Sequence, residues 1–316
     1  MNNAVKAVIL GHAIGDALGV PVEFCERAEL DENPVFDMEG FGTYQVPAGA
    51  WSDDTSMSLA ALDSLADGKV DLTEIMSNFA SWILHNEFTP TGKAFDVGGT
   101  CLNAILDFAA DPSLSPTEYG GKGERSNGNG SLMRIHPFVL YAYLSKMSAE
   151  DCIDLVHSAS AVTHAHERSK IGCGIYAFAL LALLDSPSKL SLLRGLAYAK
   201  EYYKNSAELD CYKRIFQKDF ESTPRKKIKS SGYVVDTLEA AVWCLLSTSD
   251  YESAVLKAVN LGNDTDTVAA VTGGLAGALY GYDSIPQKWL DSLLRRDYIE
   301  ALCDKLSFAV GENHKP

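Results

Sequence analysis

Apolar residues recur at three- and four-residue spacing along almost the whole chain, and alternating strand-like runs are nearly absent. That periodicity predicts helices over 4–20, 71–86, 95–109, 131–145, 149–162, 168–185, 188–204, 206–220, 236–247, 250–260 and 287–308. A further helix opens at the SDDT of WSDDTSMSLAALDSLADG and ends near Gly68, and a small-residue helix follows Thr267. Pro21 stops the first helix, because proline disfavours the helical conformation in the residue before it. Glu23 then emerges on a short extended piece, VEF, and residues 25–50, rich in Pro and Gly, read as a long loop. No Gly-, Ser- or Pro-rich linker divides the chain, so the expectation is a single all-α domain over residues 1–316.

Two stretches depart from that pattern in the same way. Ser52, Asp53, Asp54 and Thr55 stand at one helix start, and Asp264, Thr265, Asp266 and Thr267 at another. Each taken singly reads as an N-cap with favourable dipole partners. Together with Glu23 they offer five carboxylates, more than capping requires, and five converging carboxylates without cations would repel and titrate upward. Hard oxygen ligands of this kind suit Mg²⁺, Mn²⁺ or Ca²⁺, with the Ser52 and Thr267 hydroxyls completing the shells. His and Cys are missing from both turns, which argues against zinc. Gly273, Gly274 and Gly277 each cost about 1 kcal/mol relative to Ala inside a helix, so they imply close backbone packing.

Charge and composition narrow the partners. The formal net charge of −15 argues against nonspecific nucleic-acid binding and against a basic membrane-docking face. An anionic ligand remains possible where metal ions and helix N-termini supply local positive potential. The seven cysteines are scattered without a CxxC and read as buried thiols of a reducing, cytoplasmic compartment. Lys6 followed by a short apolar run broken by His12 and Asp16 is a poor signal peptide, and no membrane span is expected.

Weaker signals lie between. Asp96 and Gly98-Gly99-Thr100 sit near a helix start where bare amides could cradle phosphate, and Ser126, Asn127, Gly128 and Asn129 form a second such turn. The alternative for each is an ordinary glycine loop. His164 and His166 lie between two helices, and a lone His there is usually structural. His12 and Asp16 share a helix face and read as a buried polar contact. RKKIK at 225–229 reads as a solvated loop, and Asp236 as an N-cap.

In order along the chain, GHAIGDALGVPVEF, WSDDTSM, GKAFDVGGT, NGNGSLMR, VTHA, SGYVVDTLEAAVW and LGNDTDTVAAVTGGLAGALYG resemble the ADP-ribosylglycohydrolases over about residues 4–290. The resemblance implies an all-α orthogonal bundle with two divalent cations, Mg²⁺ or Mn²⁺, in a cleft. It implies hydrolysis of the bond joining ADP-ribose to a protein side chain. By position, Ser52, Asp53, Asp54, Asp264, Asp266 and Thr267 match the family's metal ligands, and Glu23 its acidic residue near the metals. Asp96 falls where arginine-directed members carry an Asp. Gly98, Gly99, Ser126, Gly128, Asn129 and His164 match ADP-ribose-holding positions, with Thr100 and Asn127 beside them. Ser52 stands where relatives usually have Thr, and Asn127 where some place a stacking aromatic. The implied partner is an ADP-ribosylated protein or an ADP-ribose-containing small molecule, acted on by a monomer. A serine-linked hydrolase and a non-catalytic or structural relative are the alternatives.

Overall fold

The computed structural model describes residues 2–312, of which more than half lie in α-helices, with short 3-10 turns among the connections. In chain order the helices are α1 Asn2–Gly19, α2 Arg27–Glu32, α3 Asp53–Leu65, α4 Leu72–His85, α5 Gly99–Ala110, α6 His136–Leu144 and α7 Ala149–Ala161. They continue with α8 Glu167–Asp185, α9 Lys189–Tyr202, α10 Val234–Leu246, α11 Tyr251–Val259, α12 Thr265–Tyr280, α13 Gln287–Ser292 and α14 Arg296–Glu312. The fold is all-α; among the described residues, extended pairing is limited to the isolated bridges Phe41–Val46, Gly121–His164 and Gly128–Tyr233.

The centre is the contact between α1 and α12. Glycines four apart on α1 meet α12 backbone: a Cβ on Gly15 would stand 2.1 Å from the Ala269 carbonyl oxygen, and one on Gly19 2.3 Å from Asp266 Cα. From the other side, a Cβ on Gly273 or Gly277 would meet the carbonyl oxygens of Gly11 and Ala7 at 2.2 and 1.9 Å. Two buried hydroxyls fix the register, Tyr251 Oη donating to Gly11 O and Thr265 Oγ1 to Gly19 O, each at 2.7 Å. The close packing expected of the small-residue helix is therefore made to the first helix of the chain. Around this pair α3, α6 and α14 cover α1, while α8, α10 and α11 cover α12, and one apolar core runs from Val5 to Val310.

Several local expectations need correction. Asn3–Val22 is long and apolar enough to cross a membrane by length and composition, contrary to the expected lack of such a run, and 83% of that stretch is buried in the protein. The 25–50 loop contains α2, started by a capping box between Glu26 and Glu29. Segment 206–220 is a 3-10 stretch, Ala207–Tyr212, followed by turns, because Tyr212 Oη donates to Arg168 O (2.8 Å) and Glu208 pairs with Arg168 (2.7 Å), wrapping it round the start of α8. The helices expected from 95 and 131 begin only at Gly99 and His136. The 287–308 helix breaks at Leu293–Arg295, where Leu294 N donates to Gly49 O and Leu294 O accepts from Trp51 Nε1, both at 3.0 Å. That break anchors the strand of chain leading into α3. Helix α10 starts at Val234, so Asp236 lies in its first turn, taking a bond from Ser231 Oγ (2.6 Å), and does not cap it. In RKKIK, Ile228 is buried and Arg225 pairs with Asp31, while Lys226 and Lys227 face solvent.

Candidate active site

The N-termini of α3 and α12 meet at the floor of a cavity of about 360 Å³. At α3, Ser52 caps in the ordinary way, its Oγ accepting from Asp54 N and donating to Asp54 Oδ2 (3.3 and 3.2 Å). At α12 the capping account fails: Asp264 occupies the N-cap position but its carboxylate caps nothing. Its Oδ2 instead accepts from Asn129 Nδ2 (2.9 Å), while Asp266 Oδ1 accepts from Thr267 N (2.9 Å). Asp16 joins the floor from α1. It accepts from Ser52 N (2.9 Å), Thr55 N (3.0 Å) and Thr55 Oγ1 (2.6 Å), which fixes the SDDT turn against the α1–α12 pair. The expected His12–Asp16 contact is thereby displaced. His12 stacks on His136 with centroids 4.2 Å apart, and both ring nitrogens of each are buried without a partner.

Two carboxylate triplets have ligand atoms within 4.8 Å of one another: Asp16, Asp54 and Asp266, and Glu23, Asp264 and Asp266. Among the described residues no ion pair from Lys, Arg or His reaches any of them. Burial, and then the neighbouring carboxylates, push Asp53, Asp54 and Asp266 well above the usual range; Asp264 is raised as well. Burial takes Asp16 up to about 7; burial and the nearby Asp96 take Glu23 to about 9. Four oxygens, Glu23 Oε2, Asp54 Oδ1, Asp264 Oδ1 and Asp266 Oδ2, are buried with no hydrogen-bond partner. Such orphaned acceptors are costly unless something satisfies them. An all-oxygen set without nitrogen or sulfur fits a hard divalent cation. Both Asp16 oxygens are already bonded, so its role is to orient the turn.

The cavity walls come from three loops. Gly98 and Gly99 stand at the start of α5 on the cavity lining, and a Cβ on either would meet nothing within 4 Å; Thr100 lines the wall beside them. Opposite stand Gly128, Asn129, Gly130 and Gly232. Asn129 N bonds Gly232 O (3.0 Å) and its Nδ2 also reaches Thr237 Oγ1 (2.9 Å), so it ties the 128 loop, α10 and Asp264 together. His164 lines the wall as a neutral ring, pushed down to about 3 by burial and by Arg134, with Nδ1 2.9 Å from Thr163 Oγ1. His166 caps α8 away from the cavity lining. Ser126 and Asn127 do not line it. Ser126 packs beneath Gly121, and Asn127 is used at both ends, donating to Glu124 O (3.0 Å) and accepting from Ser169 Oγ (2.9 Å).

At the mouth, Glu23 is held by its neighbours: Phe24 N bonds Asn263 O (2.7 Å) and Asn263 N bonds Cys25 O (2.8 Å), which draws the Glu23 segment to the α12 turn. Asp53, Asp96 and Thr267 also line the cavity. Sequence reasoning missed Asp16 as an orienting group, Gly232, and Tyr44, which reaches Asp96 from the supposed loop. An Asp inside an otherwise apolar, glycine-spaced helix was the available signal for Asp16. A larger cleft of about 500 Å³ between α8 and α9 is mostly apolar and holds no carboxylate cluster.

The chain is 33% identical over 309 residues to an ADP-ribosylarginine hydrolase of Serratia proteamaculans, covering 97% of this chain and 80% of that protein. It is 32% identical over 297 residues to the ADP-ribosyl-[dinitrogen reductase] glycohydrolase of Rhodospirillum rubrum, covering 93% and 91%. A solved structure described as an ADP-ribosylglycohydrolase-related protein complex superposes with a TM-score of 0.81 at 32% identity, covering 98% of both chains. The ADP-ribosylglycohydrolase family model matches residues 1–315, and with the paired acidic helix starts in place this chain belongs to the ADP-ribosylglycohydrolase family.

Proposed function

We propose that this protein hydrolyses the N-glycosidic bond between ADP-ribose and an arginine side chain, with two Mg²⁺ or Mn²⁺ ions on the cavity floor. The observation that carries the arginine reading is Asp96, a half-buried carboxylate on the cavity wall with no basic partner among the described residues. Similarity to a hydrolase named for ADP-ribosylarginine supports the same linkage.

Glu23, Asp54, Asp264 and Asp266 would hold the cations through their orphaned oxygens, with Ser52, Asp53 and Thr267 around them. Asp266, which belongs to both carboxylate triplets, would be central to holding them. When bound, such ions supply Lewis-acid polarisation and a water of lowered pKa.

The amides of Gly98, Gly99 and Thr100 and the positive end of α5 attract the diphosphate. Gly128, Asn129 and His164 present uncharged groups to the nucleotide, while Ser126 and Asn127 hold that loop in place. In the reaction water gives its hydroxyl to the anomeric carbon as the carbon–nitrogen bond breaks, and its other proton goes to the departing guanidine nitrogen. The surrounding carboxylates stabilise oxocarbenium character, and Asp96 pairs with the guanidinium through charge-assisted hydrogen bonds. Glu23, beside Asp96, is the carboxylate we place to pass that proton on. A monomer in the cytoplasm, acting on an ADP-ribosylated protein, completes the reading; the seven free cysteines support a reducing compartment.

The test is ADP-ribose release from arginine- and serine-ADP-ribosylated peptides, each with Mg²⁺, Mn²⁺ or EDTA. Release from the arginine peptide alone, abolished by EDTA, is expected. Release from the serine peptide alone would overturn the role given to Asp96.

A further inference from the structure

Tyr44 Oη donates to Asp96 Oδ1 at 2.6 Å, and the same hydroxyl lies beside the Glu23 carboxylate. Asp96 needs such a hold. It sits in a stretch without regular structure, with φ at 58°, a left-handed conformation that residues other than glycine seldom adopt.

The turn that carries Tyr44 is built for that contact. Phe41, Gly42 and Gln45 all have positive φ, at 70°, 46° and 56°. Gly42 is required there, since a Cβ would stand 1.9 Å from Pro21 O. Thr43 Oγ1 donates to Glu23 O (2.8 Å), so the residue before Tyr44 is fastened to the Glu23 segment. The Tyr44 ring packs on Phe95, the residue before Asp96, with centroids 4.9 Å apart. Strained turns of this kind persist where the surrounding structure over-determines them, and they cluster at functional sites.

We propose that Tyr44 is a positioning residue for the linkage contact: it pins one oxygen of Asp96 so that the carboxylate meets the arginine guanidinium as the glycosidic bond breaks. The inference rests on the arginine-linked reading given above. The ADP-ribose half of the substrate is held elsewhere in the cavity, so loss of the Tyr44 hydroxyl acts on turnover more than on binding. A small misplacement of a positioning group costs ten- to a hundredfold in rate.

The experiment compares wild type, Tyr44→Phe, Asp96→Asn and the double variant, with steady-state kinetics on an arginine-ADP-ribosylated peptide and calorimetric binding of free ADP-ribose with Mg²⁺. The expected result is a fall in kcat of about tenfold or more in Tyr44→Phe with KM within about threefold. ADP-ribose affinity stays at the wild-type level, and the double variant is no slower than Asp96→Asn, as for two residues acting through one contact. Tyr44→Phe turning over like wild type while Asp96→Asn is slow would overturn this inference and leave the arginine reading standing. A parallel loss of ADP-ribose binding, or additive effects in the double variant, would also overturn it, by making Tyr44 a general support of the site. Failure of the wild type on the arginine peptide would instead remove the underlying reading, and this inference with it.

Discussion

The floor of the cavity and its mouth both present carboxylates, but they hold them by different means. On the floor, Asp54 and Asp266 are buried and Asp264 is half-buried, all at helix starts; the glycine contacts of α1 and α12 lock the α12 start, and Asp16 on α1 ties down that of α3. At the mouth, Asp96 lies on non-helical chain, fixed by the Tyr44 hydrogen bond and with a left-handed backbone of its own; Glu23, also on non-helical chain, spans from the mouth to the floor triplet. A rigid floor suits a ligand whose demands do not vary, a hard cation. A mouth built from loops suits the part of the substrate that differs between linkages. On the function proposed above, one cavity would separate bond activation from linkage choice by the rigidity of the elements that carry each.

Breaking the floor should have the largest effect. Gly15→Leu drives a side chain into the Ala269 carbonyl, a backbone atom that cannot step aside, and should destabilise the protein by more than about 3 kcal/mol. Thermal unfolding reads this directly; a variant melting within a degree or two of wild type would refute the locked-floor account.

Next is Asp266→Asn, which alters the group shared by both triplets without changing its size. Turnover should fall on the order of a thousandfold, since one preorganised electrostatic group is commonly worth 10²–10³. Mn²⁺ affinity, followed by electron paramagnetic resonance, should fall with it, and unchanged affinity would show that Asp266 is no ligand.

A smaller effect concerns pH. Asp16 and Glu23 titrate near 7 and 9 in the folded chain, above ordinary carboxyls, so the folded state binds more protons than the unfolded one. Stability of the metal-free protein is therefore greatest below about pH 4 as far as these groups are concerned, and declines as pH rises through 7 towards 9. Saturating Mg²⁺ should flatten that decline. Chelated protein whose melting temperature rises between pH 6 and 9 would contradict the sign.

Much of the floor was legible in the sequence because its chemistry is local. SDDT and DTDT stand at helix starts, and glycine at four-residue spacing announces close packing whichever helix receives it. What could not be read was which partner the glycines meet, since α1 and α12 are some 250 residues apart in the chain. Asp16 looked like a partner for His12 because helical spacing alone pairs them; only the fold shows that the SDDT turn takes both its oxygens. The mouth was less legible. Tyr44 sits in a stretch without periodicity, where residue type gives no direction, and its link to Asp96 is tertiary. Ser126 and Asn127 read as ligand groups from their turn chemistry, whereas packing against Gly121 and Ser169 turns them away from the cavity lining.

The division between floor and mouth is tested most directly by Asp96→Asn, with Mn²⁺ affinity and turnover of an arginine-ADP-ribosylated peptide measured on the same preparation. The account predicts metal affinity within about threefold of wild type and turnover lower by about a hundredfold. A loss of metal affinity that matches the loss of turnover would make Asp96 part of the floor and contradict the division.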